Sequence, residues 1–95
     1  MLHGKENYMR IKDEVDDETF IKLIVMNIII ARTKAGISQK ELSKMIGKKD
    51  NYIEKLENLE YKILPTETAI NIALALHISM DSLLTFDDLI EKIIY

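Results

Sequence analysis

The chain has no cysteine, one proline, three glycines and two histidines among 95 residues. Without cysteine there can be no disulfide, no thiolate metal site and no cysteine nucleophile. His3 and His77 stand far apart and lack the close spacing of a metal-ligand pair. No glycine-rich phosphate loop is present. The longest apolar stretch, residues 20–31, is interrupted by Lys22 and Asn27, and it is too short to span a bilayer. The first residues lack the basic start and apolar run of a secretory signal, so the expected compartment is the cytoplasm. Ser38 and Ser79 read as helix caps, and Asp87 and Asp88 as a helix start. Nothing reads as catalytic, and no cofactor or metal is expected.

What is present is apolar and helical in character. Apolar residues make up 47% of the chain, which is not a disordered composition. They favour Ile and Leu without a turn-rich pattern of short strands, so the expected class is all-α. The length suits one domain with one modest core, of a size that often gains from a partner. The net charge of −3 argues weakly against nucleic acid, but its distribution says more. Residues 32–65 carry eight basic and five acidic side chains, whereas residues 66–95 carry one basic and five acidic. An acidic chain of this kind can still present one basic face.

Residues 1–16 read as a polar extension. The cluster Asp13, Glu14, Asp16, Asp17 and Glu18 fits either a solvated tail or a helix start, where the dipole favours anions. A first helix is expected from about Asp17 to Lys34, ended by Gly36. It carries two apolar stripes: Ile21, Ile24, Val25, Ile28 and Ala31, and Phe20, Leu23, Met26, Ile29 and Ile30. A surface helix needs only one such stripe. The surplus can be covered by another subunit or by the C-terminal part of the same chain.

Ser38 and Glu41 have the spacing of a capping box, with Ile37 placed to staple against Leu42. Leu42, Met45 and Ile46 supply the apolar side of this second helix, and Gly47 ends it. A third helix follows almost at once, from about Asp50 to Asn58, with Ile53 and Leu56 inward. Lys49, Asp50, Asn51, Tyr52, Glu54 and Lys55 are left largely outside. Two short helices joined by a glycine-led turn match a helix-turn-helix. Pro65 marks a fourth helix running to about His77, with Ala69, Ile70, Ile72, Ala73, Leu74 and Leu76 toward the core. Ser79 caps a short fifth helix holding Leu83 and Leu84. Residues 87–95 read as a further amphipathic helix through Leu89, Ile90, Ile93 and Ile94. The domain itself is expected over residues 17–86.

The stretch R-T-K-A-G-I-S-Q-K-E-L-S-K-M-I-G-K-K-D-N-Y-I-E-K-L-E-N, residues 32–58, resembles the Cro/C1-type helix-turn-helix family of lambdoid phage repressors and small bacterial regulators. Pro65 and the tail pattern A-x-x-L-x-I-S-x-D-x-L-L, residues 73–84, continue the likeness, which covers about residues 24–84. The resemblance implies a lambda repressor-like five-helix DNA-binding domain, here with an additional C-terminal helical segment. It implies that Lys49, Asp50, Asn51, Tyr52 and Lys55 read bases. It also implies that Gln39 anchors the DNA backbone or braces a reading residue, and that Glu60, Tyr61 and Lys62 lie near phosphate. Arg32 and Glu57 fall where some members form a structural ion pair. The chain departs from the pattern at Lys48, usually apolar, at Lys49, usually a small capping residue, and at Leu59, usually glycine. Leu59 therefore implies a lengthened helix or a differently shaped loop.

The chemistry of the residues fits such a role independently. A helix fits the major groove, where Asn51 can bond adenine in two places and Lys49 or Lys55 can donate to guanine. Asp50 can accept from cytosine N4 or serve as a helix cap. Tyr52 can touch sugar or a thymine methyl, or pack on a neighbouring helix. Lys40, Lys44, Lys48 and Lys62 are phosphate candidates, each with the plain alternative of a solvated lysine. A homodimer reading a palindromic operator about one helical turn between centres is the expected assembly. The competing reading is an antitoxin-like or other protein-interaction module on the same fold, favoured by Asp50, Glu54 and the net acidity.

Overall fold

The computed structural model describes residues 16–84. They form α1 (Asp17–Ala35), α2 (Gln39–Met45), α3 (Tyr52–Glu57), α4 (Thr66–Ala75) and α5 (Met80–Leu83). This is the expected all-α class, an arrangement consistent with a lambda repressor-like domain. The expected segment over 87–95 and most of the 1–16 extension lie outside the described residues.

Each helix begins and ends for a local reason. Asp16 caps α1 by accepting the Thr19 amide at 2.7 Å, and Asp17 and Glu18 follow in the first turn, with Arg32 and Lys34 in the last. These charges complement the helix dipole at both ends. Ser38 and Glu41 form the reciprocal box at the start of α2, at 3.0 and 3.1 Å. Ser79 caps α5 through the Ser82 amide. Pro65 stands one place before α4, at its N-cap.

Four helices end in the same way. Beyond α1, α2, α3 and α4 the chain enters the left-handed region at Gly36, Gly47, Leu59 and His77. At each, the following amide reaches back to close the end, as Glu60 N does to Lys55 O at 3.0 Å. Leu59 settles the question its identity raised. It neither lengthens α3 nor reshapes the turn, but adopts φ 61° in the place glycine would take. The helix is shorter than expected, with Asn51 as its N-cap and Asn58 as its C-cap.

The core gathers around α1. Leu23, Ile24 and Ile28 are fully buried with Leu42, Ile53, Leu56, Ile72 and Leu83. Burying such a side chain stabilises the fold by about 1.5–3 kcal/mol. Most of the surplus apolar surface of α1 goes into this one core. Phe20, Ile21 and Val25 are buried too, and Met26, Ile29 and Ala31 pack against its edge, leaving Ile30 exposed. Asn27 Nδ2 donates to the Leu83 carbonyl at 2.8 Å, tying α5 to α1.

Two residues expected inside are exposed, and a third, Ile70, is only half-buried. Met45 is 52% exposed and Leu74 66%. Met45 is the last residue of α2, and it stays outside although Leu42 before it is fully buried and Ile46 after it packs on the core. In α4 the buried positions are Thr68, Ala69, Ile72 and Ala73, followed by Leu76 at its C-cap, a stripe of three- and four-residue steps that leaves Leu74 outside it. Among the described residues no helix is long and apolar enough to cross a membrane.

Candidate nucleic-acid interface

The turn between α2 and α3 sets the geometry. Gly47 turns the chain at φ 72°, and Lys48 N closes back on Ser43 O at 2.9 Å. Tyr52 N then bonds Lys49 O, also at 2.9 Å, so the residues before α3 are already coiled. Asn51 occupies the N-cap with φ −99° and ψ 9°, and its side chain makes no capping bond. An N-cap side chain reaches the following amides from an extended backbone, which Asn51 does not have.

A serine on the preceding helix does the capping instead. Ser43 is fully buried. Its hydroxyl donates to the Gln39 carbonyl at 2.8 Å and accepts the Ile53 amide at 2.9 Å. One side chain of α2 thereby satisfies an open amide of α3. Sequence reasoning passed over Ser43. The only signal was a small polar residue beside Leu42 on the inner side of a capped helix.

Behind α3 lies a charged bracket. Arg32 Nε donates to Glu57 Oε2 at 2.7 Å and Nη2 to Oε1 at 2.8 Å, while Nη1 donates to the Ile37 carbonyl at 3.0 Å. Gln39 Nε2 donates to the same Glu57 Oε1 at 2.8 Å. The side chains of Arg32 and Glu57 are only 15% and 6% exposed. Two-pronged, charge-assisted bonding of this kind fixes orientation as well as distance. The Gln39 amide is thus turned onto Glu57 in the free protein.

On the other side of α3 are stacked rings. The rings of Tyr52 and Tyr61 lie 5.0 Å apart at 25°, and Lys48 Nζ sits 5.2 Å from the centre of the Tyr52 ring. Tyr52 is half-buried, and its neighbour Thr68 on α4 is buried. Desolvation raises the Tyr52 phenol above its ordinary 10.0, and Tyr61 adds to this, against a lowering hydrogen bond with Thr68. Tyr52 therefore packs on both α4 and the loop that follows α3. Tyr61, expected near phosphate, is also its stacking partner.

The remaining expected contacts sit on the open side. Lys49, Asp50 and Asn51 are exposed, as are Lys40, Lys44, Lys48 and Lys62, while Gln39 and Lys55 are half-buried. Asp50 faces Lys40, their charged groups 3.8 Å apart with both side chains mostly exposed. Glu54 and Glu60 are exposed among these lysines. Among the described residues no group of His, Cys, Asp or Glu is placed to hold a metal ion.

A family model described as helix-turn-helix matches residues 28–83. No curated protein and no solved structure matches the chain.

Proposed function

This chain belongs to the helix-turn-helix family, which carries a DNA-binding regulatory role, and we propose that it is a Cro/C1-type reader of specific double-stranded DNA, acting as a small bacterial or phage repressor. The observation that supports this most is Asn51. It stands exposed at the start of α3, uncommitted to capping, with Lys49 and Lys55 beside it. A carboxamide free of helix duties can bond adenine in the major groove, and the lysines suit guanine. Gln39, Lys40, Lys44, Lys48, Tyr61 and Lys62 form the surrounding backbone contacts. One short helix reads few base pairs, so the working form is a homodimer on a palindromic operator in the cytoplasm.

Selection of bound sites from random duplex DNA, at low and physiological salt, tests this. A palindromic motif should emerge, and it should be lost when Asn51 and Lys55 are changed to alanine. Absence of enrichment by folded protein would overturn the reading.

A second reading has its own support. Met45 and Leu74 are exposed beside Ile46, Asn71 and Ala75, an apolar surface apart from the proposed reading residues. An antitoxin-like protein that binds another protein would use such a patch. Failure of the DNA selection, with capture of a specific protein dependent on Leu74, would favour it.

A further inference from the structure

The Ser43 hydroxyl connects two facts that otherwise stand apart: a reading helix whose N-cap side chain does no capping, and a buried amide that is nonetheless satisfied. We propose that Ser43 is a positioning residue for DNA reading, holding the start of α3 against α2 so that the Asn51 carboxamide is set at a base edge. This rests on the DNA-reading assignment above.

The short α3 has few internal bonds, so its first amides need partners from elsewhere. An N-cap side chain ordinarily supplies one, but Asn51 lacks the extended backbone for it. Here the Ile53 amide goes to Ser43 Oγ at 2.9 Å instead. The hydroxyl is itself oriented, because its proton is donated to Gln39 O at 2.8 Å and a lone pair is left toward Ile53. The same helix carries Gln39, whose amide grips Glu57 at the far end of α3. Helix α3 is therefore held from α2 at both ends, by a hydroxyl at its start and a carboxamide at its finish. Among the described residues no buried side-chain polar atom lacks a partner.

Removing the Ser43 hydroxyl leaves the Ile53 amide buried and open and releases the start of α3 from α2. Without that anchor the first residues of α3 are no longer held, and the Asn51 carboxamide loses its fixed place in the groove. Ser43→Ala should therefore act on DNA reading through Asn51, and not merely on stability.

The test measures affinity for the selected duplex against one altered at the base pair whose discrimination depends on Asn51. This ratio is insensitive to the folded fraction, since partial unfolding weakens both affinities equally. Ser43→Ala should lower it by roughly tenfold, the scale of one good bidentate base contact. In an Asn51→Ala background the same change should leave the ratio unmoved, and Ser43→Thr, which keeps the hydroxyl, should hold it near the wild-type value. A second measurement uses the wild-type chain alone. By amide exchange in solution, the Ile53 amide should be protected and the Asn51 side-chain amide should exchange freely until DNA is added. An unchanged ratio in Ser43→Ala, an equal loss with and without Asn51, or a protected Asn51 side chain in the free protein would each overturn the proposal while leaving DNA reading intact. No selected duplex for the wild type would overturn the reading itself.

Discussion

Arg32 and Glu57 stand 25 residues apart in the chain and meet through two parallel hydrogen bonds, 2.7 and 2.8 Å long, between the last turn of α1 and the end of α3. Arg32 also holds the Ile37 carbonyl and Glu57 also receives Gln39, so α1, α3, the first residue of α2 and the turn before it share one junction. The attraction is largely offset by desolvation of both ions, and its main yield is geometry.

Breaking that pair from one side should be costly. Glu57→Ala leaves a guanidinium that is only 15% exposed without its carboxylate, and we expect a loss of roughly 2–4 kcal/mol. Replacing both residues by leucine or methionine should cost much less. Urea unfolding of the single and double variants would decide. A single variant as stable as the wild type would sink the idea.

The left-handed helix ends offer the opposite kind of change. His77, exposed at φ 55°, has a side chain where glycine would be relaxed. His77→Gly should raise stability by about 0.5–1 kcal/mol. Leu59→Gly should gain less, because Leu59 at φ 61° is only 44% exposed and loses contacts when truncated. Thermal midpoints of the two variants should rank in that order.

Asp50 restrains Lys40 across 3.8 Å of largely solvated space. Such a pair adds little to stability, on the order of 0–1 kcal/mol. Its effect should appear in DNA binding. Asp50→Asn should strengthen non-specific binding and steepen the salt dependence by about one unit of log–log slope, as one more lysine meets phosphate. Titrations on random-sequence duplex at several salt concentrations would show it, and an unchanged slope would mean that Lys40 makes no phosphate contact.

Asp16 should make the fold acid-sensitive. The Thr19 amide, bonded at 2.7 Å, holds its carboxyl below the ordinary 3.8. With the folded value below the unfolded one, the stabilisation is complete above 3.8 and disappears as pH falls through the lower folded value. Asp16→Asn keeps a capping oxygen but does not titrate. Between about pH 5 and pH 2 the wild-type midpoint should therefore fall more steeply than that of the variant. Parallel curves would rule out this contribution.

The part of the structure readable from the chain is the part held by near neighbours. Ser38 with Glu41, Gly36, Gly47 and Ser79 mark helix ends through bonds spanning a few residues, so their spacing alone announces them. Ile53 and Leu56 could be placed inward by periodicity, and they are fully buried. Periodicity misled at Met45, because it describes a helix's own faces and not how far the neighbouring helices extend over them, whereas Leu74 lies off the three- and four-residue stripe of α4 and only its apolar character suggested the core. Leu59 was ambiguous, since a left-handed leucine is disfavoured locally and held by the surrounding turn.

The sequence by itself determined the helical class, the helix-turn-helix spacing, the caps that start α2 and α5 and the glycines that end α1 and α2, because hydrogen bonds across three or four positions depend on little else. Only the tertiary structure decided that Ser43 caps α3, that Gln39 grips Glu57, that Tyr52 stacks on Tyr61 and that the Asn51 side chain makes no capping bond. A buried polar group takes whichever partner the packed helices bring within 3 Å, and that choice is made in space, not along the chain.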